Sequence, residues 1–193
     1  MSALHRRCIY FNHFSEVKEK TPRRGFFVDK MVNLCYNKCP EDPNLKGSTM
    51  AKDRRKLLIL IVDDDEVGLR AIQRVVQHRI TRTSRANDPR LSVMTQSNPE
   101  RAVQVLGASH LEYGAVLAIS DGEMGSPMEG PALLAALAKI FEDRLKIKLL
   151  VSSAIEQYRD EIERDQLRAS PKPFDKTRLE AIIDEFLAMT KDD

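Results

Sequence analysis

The run Leu57-Leu58-Ile59-Leu60-Ile61-Val62 stops at Asp63-Asp64-Asp65, and this junction constrains the fold more than any other stretch. Six consecutive apolar residues, three of them β-branched, predict a strand buried on both faces. Three carboxylates cannot follow that strand into a core without a partner. Clustered like charges repel and raise one another's pKa unless something positive sits among them. They therefore mark the carboxyl end of the strand, the edge at which open α/β sheets bind their ligands. A hard divalent cation such as Mg²⁺, which takes a few carboxylates plus water, suits such a cluster. One of the three, Asp65, reads instead as the cap of the helix that follows.

Four further strands follow, alternating with helices. Glu66 to Ile80 carries Leu69, Ile72, Val75, Val76 and Ile80 on one helical side. Leu91 to Thr95 alternates like a short strand, and Asn98-Pro99-Glu100 opens a helix with a capping residue and proline at its first position. Ala115 to Ser120 is a third buried strand, ending on Asp121. A loop from Gly122 to Gly130 leads to the alanine- and leucine-rich helix Pro131 to Phe141. Ile147 to Ser152 is the fourth strand, followed by a charged helix predicted over residues 155–168. The fifth strand is the brief stretch before Lys172-Pro173-Phe174, and Thr177 with Glu180 has the spacing of a capping box for the last helix. This alternation predicts a doubly wound α/β fold: a five-stranded parallel sheet with helices on both faces.

Residues 1–50 follow neither helical nor strand period and are predicted to form a poorly ordered extension, with the folded domain over 51–193. Met50 would also make a plausible natural start. All three cysteines, Cys8, Cys35 and Cys39, lie in this extension. Cys35 and Cys39 with His5 and His13 form a candidate zinc set whose spacing is a weak match. The domain itself is built without disulfides, which fits a reducing compartment. A net charge of +2 is too small to imply a nucleic-acid partner. No apolar stretch approaches membrane-span length, and residues 1–50 lack the apolar core of a signal peptide. The default expectation is cytoplasmic.

Asp63, Asp64, Asp121, Ser153 and Lys172 fall at the carboxyl ends of four different predicted strands. In a parallel sheet these ends share one edge, so the five residues converge. The acids can hold Mg²⁺, and a hydroxyl and an ammonium beside them can bind phosphoryl oxygens. The set suits phosphoryl transfer to a carboxylate, where positioning and charge neutralisation dominate.

Four motifs in this order resemble the receiver domain of two-component response regulators, over roughly residues 55–190. Ile59-Leu60-Ile61-Val62-Asp63-Asp64-Asp65 is similar to its first-strand acidic motif, and Ile119-Ser120-Asp121-Gly122-Glu123-Met124 to its phosphoacceptor strand and loop. Val151-Ser152-Ser153-Ala154 and Lys172-Pro173-Phe174 are similar to its Ser/Thr and Lys-Pro motifs. The resemblance implies the flavodoxin-like strand order 2-1-3-4-5. It implies that Asp121 accepts a phosphoryl group from the phosphohistidine of a histidine kinase or histidine phosphotransfer protein. Asp64 would bind Mg²⁺ directly and Asp63 through water, with the backbone carbonyl of Glu123 also contributing. Ser153 and Lys172 would hold the phosphoryl oxygens, and the Lys172–Pro173 bond would be cis. No turnover beyond Mg²⁺-dependent self-phosphorylation is expected. With no DNA-binding or catalytic domain after it, the protein would act as a relay intermediate or through an unknown downstream protein.

The chain also departs from that pattern. The loop after Asp121 is one residue longer than usual. Ala169 stands where a switch aromatic is common, Ser153 to Lys172 is short, and Pro171 removes a strand donor beside Lys172. An edge strand tolerates such a proline. The last three changes fall on the face that usually signals output, so conventional dimerisation there is not expected. An enzyme rival exists: Asp63-Asp64-Asp65-Glu66-Val67 also matches the nucleophile motif of haloacid-dehalogenase-like phosphatases. That reading needs an acidic pair at a strand end after the lysine, with Asp184-Glu185 or Asp192-Asp193 as candidates, and leaves Asp121 idle. A third reading is a receiver-like scaffold that is never phosphorylated.

Overall fold

The computed structural model describes residues 55–190. The expectations for residues 1–50, the cysteine-histidine set and Asp192-Asp193 lie outside the described residues. Strands β1 (Lys56–Val62), β2 (Leu91–Gln96), β3 (Tyr113–Asp121), β4 (Leu145–Ser152) and β5 (Arg168–Pro171) form one parallel sheet in the order β2-β1-β3-β4-β5. Helices α1 (Glu66–Thr81), α2 (Pro99–Ser109), α3 (Gly130–Phe141), α4 (Arg159–Asp165) and α5 (Lys176–Met189) connect and flank it. This is the doubly wound, flavodoxin-like architecture and strand order expected from the sequence.

The two faces of the sheet follow from side-chain alternation along β1. Leu57, Ile59 and Ile61 pack with Ile72 and Val76 of α1 and with Leu179, Ile183 and Phe186 of α5. Leu58, Leu60 and Val62 pack with Val103 and Leu106 of α2 and with Leu133, Leu137 and Phe141 of α3. Residues Leu57 to Val62 are all at most 2% exposed, as a central parallel strand covered on both sides requires. At about 25 cal/mol per Å² of apolar surface, each such side chain contributes about 1.5–3 kcal/mol.

Local chemistry sets the helix starts. Asp65 accepts the backbone N–H groups of Val67 and Gly68 at 3.1 and 3.0 Å, and Asn98 accepts that of Arg101 at 2.7 Å. Both caps match the expectation. The last helix does not. Its cap is Asp175, whose carboxylate takes the N–H groups of Thr177 and Arg178, so Thr177 lies inside the first turn rather than capping it. An aspartate one residue before the helix outcompetes a hydroxyl already within it.

The charged segment after β4 also differs from the expected single helix over 155–168. A short 3₁₀ turn, Ile155–Tyr158, precedes the seven-residue α4. Gln166 takes a left-handed backbone, φ 52°, and its N–H closes onto Glu163 and Ile162. That reversal turns the buried Leu167 into the core and starts β5 at Arg168. β5 has four residues at the sheet edge, where Pro171 pairs with Ser152. Among the described residues no helix is long and apolar enough to cross a membrane.

Candidate functional site

Register brings the strand-end residues into one row. Val62 pairs with Ser120, which sets Asp63 beside Asp121 one step further on. Asp121 pairs with Val151, and Val151 with Ser170. The Lys172 N–H then donates to the Ser152 carbonyl at 3.0 Å. One edge of the sheet therefore holds Asp63, Asp64, Asp121, Ser153 and Lys172, drawn from β1, β3, β4 and β5. The Lys172–Pro173 bond is cis.

Asp63, Asp64 and Asp121 each offer a carboxylate oxygen, and these oxygens lie within 4.8 Å of one another. Asp63 and Asp121 are buried, at 0 and 3% exposure, while Asp64 faces solvent. The Lys172 ammonium stands 2.8 Å from Asp121 Oδ2 and 3.6 Å from Asp63 Oδ2. One cation thus serves two buried anions. Asp63 Oδ1 accepts the Asp65 N–H at 2.9 Å, but Asp63 Oδ2 and Asp121 Oδ1 are buried without a hydrogen-bond partner. Burial pushes both carboxyls above the usual aspartate range, and their mutual repulsion adds to this at Asp63. Burial by itself would lower the Lys172 pKa, but its hydrogen bond to Asp121 and the acids around it hold the ammonium above its ordinary value.

The donor set fits a hard divalent cation. It is all oxygen, it carries more negative than positive charge, and two of its buried oxygens lack donors. A cation at that point would satisfy the two orphaned oxygens, whose desolvation otherwise stands uncompensated.

The loop between β3 and α3 is fixed at several points. Met124 and Met128 are buried in the core, and the Gly125 N–H donates to Asp64 Oδ2 at 2.6 Å. Gly130 closes the loop onto the strand it left: a Cβ at this position would lie 1.9 Å from the Asp121 carbonyl oxygen. Only glycine permits that approach.

Two contacts escaped the sequence reading. Glu123 was expected to contribute its carbonyl, yet its side chain is also engaged. Its carboxylate accepts the Ser152 hydroxyl at 3.0 Å and the Ser153 hydroxyl at 2.8 Å. Burial pushes the Glu123 carboxyl up, but these two hydroxyls outweigh it and hold it below the usual glutamate range. Tyr158 is the other. Its buried hydroxyl donates to the Gly122 carbonyl at 3.0 Å. Burial, with the charges of Glu129, Glu123 and Asp121, pushes its pKa up to about 12. Tyr158 is the one aromatic residue between Phe141 and Phe174, the only sequence signal that could have singled it out. Ala169 sits partly buried in β5 opposite Leu150.

Among the described residues, the candidate acidic pair of the dehalogenase-like reading, Asp184-Glu185, is not at a strand end. Asp184 and Glu185 lie within α5, paired with Arg79 at 2.5 Å and with Arg168.

The sequence matches no protein-family model and no curated protein. Solved structures do match. The signal receiver domain of an HD domain-containing protein from Pseudomonas fluorescens Pf-5 is 21% identical with TM-score 0.52, over 72% of this chain and 100% of that one. A response regulator receiver domain protein from Clostridium thermocellum is 15% identical with TM-score 0.54, over 70% of this chain and 97% of the other. The receiver domain of a Francisella response regulator is 17% identical with TM-score 0.51, over 69 and 98%. The fold of the described residues is the receiver fold.

Proposed function

We propose that this protein is a two-component signalling protein whose receiver domain accepts a phosphoryl group on Asp121. The observation that carries the reading is the convergence, on one sheet edge, of Asp63, Asp64 and Asp121 within 4.8 Å, with the Lys172 ammonium 2.8 Å from Asp121. A structural core has no use for two buried carboxylates with orphaned oxygens. A phosphoryl-transfer site does.

In this reading Asp121 is the nucleophile. A carboxylate oxygen attacks the phosphorus of a phosphohistidine, the P–N bond breaks, and the imidazole leaves with a proton from solvent. The product is an acyl phosphate on Asp121. Asp63, Asp64, Asp121 and the Glu123 carbonyl would hold Mg²⁺, which supplies charge neutralisation for the phosphoryl oxygens when bound. Lys172, already paired with the acceptor carboxylate, holds a phosphoryl oxygen in the product. The Ser153 hydroxyl donates to another. Burial of Asp63 and Asp121 strengthens each of these electrostatic contacts relative to water.

The donor is a histidine kinase or a histidine phosphotransfer protein, and the readout is a contact with another protein, consistent with a cytoplasmic signalling role. The protein is a signalling element rather than a catalyst of turnover. Phosphotransfer profiling tests this: the chain is mixed with labelled histidine kinases and phosphotransfer proteins. Label moving rapidly to this chain from one donor, and not to Asp121→Asn, supports the reading. Turnover of a generic phosphate ester with Asp121→Asn fully active would favour the phosphatase instead.

A further inference from the structure

The Ser153 hydroxyl cannot serve a phosphoryl group while it serves Glu123. A serine hydroxyl has one proton to donate, and here it goes to Glu123 Oε1 at 2.8 Å. The other carboxylate oxygen is held by Ser152, 0% exposed, whose Oγ also accepts the Ala154 N–H at 2.9 Å. Glu123 therefore bridges two consecutive residues at the end of β4 from a position two residues after Asp121. The buried Ser152 hydroxyl needs this acceptor, whereas the exposed Ser153 hydroxyl does not, because it can be solvated instead.

We propose that the Glu123 side chain is a positioning residue, a clasp that holds the Ser153 hydroxyl away from the phosphoryl site until phosphorylation opens it. This rests on Asp121 being the acceptor. A phosphoryl group there brings close to two negative charges at neutral pH and three strong acceptor oxygens beside the Glu123 carboxylate. Both anions compete for one Ser153 proton, and their repulsion turns Glu123 Oε1 away from Ser153 while Oε2 keeps the buried Ser152 hydroxyl. Ser153 then turns to the phosphoryl group. Tyr158 keeps its hold on the Gly122 carbonyl, so the loop moves from residue 123 onward while Asp121 stays seated. The device answers a deficit in this chain: Ala169 has no ring to follow the hydroxyl, and the clasp couples the same event to the loop over residues 123–129. A ligand shifts an equilibrium only through differential contacts, and Ser153 makes different ones in the two states.

A double-mutant cycle on the full chain tests the clasp, with beryllofluoride and Mg²⁺ as the acyl-phosphate mimic and calorimetry as the readout. An apparent dissociation constant is raised by the fraction of molecules whose binding-competent state is closed off. Glu123→Ala is expected to tighten binding, and about tenfold of that gain is expected to vanish when Ser153 is also alanine, the size of one charge-assisted hydrogen bond. Glu123→Gln, which is neutral but still offers an oxygen to one hydroxyl, is expected to give a smaller gain with the same dependence on Ser153, and serves if the alanine variant does not fold. A gain of equal size with and without the Ser153 hydroxyl would show that Glu123 acts by charge alone and overturn the clasp, leaving the acceptor assignment intact. Failure of the unmutated protein to bind the mimic would instead overturn the acceptor assignment and the clasp with it.

Discussion

Asp63→Asn is expected to stabilise the protein in the absence of divalent cations. Asp63 is fully buried, with one oxygen bonded to the Asp65 N–H and the other unpartnered. At an effective dielectric of about 20, a carboxylate 4.8 Å away, as Asp121 is at most, repels it by about 3.5 kcal/mol, while Lys172 at 3.6 Å attracts it by about 4.6 kcal/mol. These nearly cancel, and Asp64 adds a smaller, solvent-screened repulsion. What remains is the dehydration of a buried carboxylate, several kcal/mol, partly offset by one charge-assisted hydrogen bond of about 1.5–3 kcal/mol. Asparagine keeps the acceptor for the Asp65 N–H and carries no charge to dehydrate. The net gain is about 1–2 kcal/mol, or roughly 3–8 °C in Tm for a domain of this size. The pH dependence has a definite sign. Asp63 has a raised pKa in the fold, so the folded state binds its proton more tightly and the penalty grows as pH rises above the unfolded aspartate value. The advantage of Asp63→Asn is therefore full at neutral pH and shrinks toward the acid range. Thermal unfolding in EDTA across that range is the assay. An unchanged or lowered Tm at neutral pH would refute the charge imbalance on which the site rests.

Three other outcomes follow from the same geometry. Gly130→Ala puts a methyl group 1.9 Å from the Asp121 carbonyl and is expected to cost more than about 2 kcal/mol in urea unfolding, in the class of backbone-strain substitutions; a loss under about 0.5 kcal/mol would contradict the packing. Asp88 is desolvated but receives Arg85 and Arg90 at 3.3 Å and the Arg90 N–H at 3.0 Å, and the net effect is a lowered pKa. Its stabilisation is present above the unfolded aspartate pKa and lost as pH falls through the folded one, so Asp88→Asn should lose about 1–2 kcal/mol at neutral pH and converge with the parent in acid; a constant difference would exclude the titration. Amide exchange with the beryllofluoride mimic should change most in residues 122–130 and 153–158 and least around Ala169; a change centred on Ala169 and α5 would reverse the assignment of the switch.

The fold and most of the site were legible because both depend on charges that cannot be buried casually. Asp63, Asp121 and Lys172 mark strand ends in the sequence for the same reason that they meet in space: a parallel sheet leaves one edge where polar groups can be answered. Asp65 and Asn98 were legible as caps because each is a short acceptor immediately before a helical period. Gln166 was not legible as a helix end, since a left-handed turn at a residue other than glycine or asparagine leaves little compositional trace. Asp175 was missed because Thr177 and Glu180 imitate a capping box two residues further in. The Glu123 clasp depends on where a side chain two residues after Asp121 meets two consecutive hydroxyls on another strand. That is a fact of register, which no local pattern carries. Tyr158 reaches Gly122 only because the segment after β4 starts as a 3₁₀ turn rather than a regular helix.

The central claim is that Asp121 is the acceptor and that the acids beside it serve a cation. Intact-mass measurement after incubation with acetyl phosphate and Mg²⁺ tests it most directly. A single added phosphoryl group is expected, lost in base, absent from Asp121→Asn, and formed very slowly and without response to Mg²⁺ in Asp64→Ala. Equal labelling of Asp121→Asn, or none of the unmutated protein by any small acyl phosphate, would contradict it.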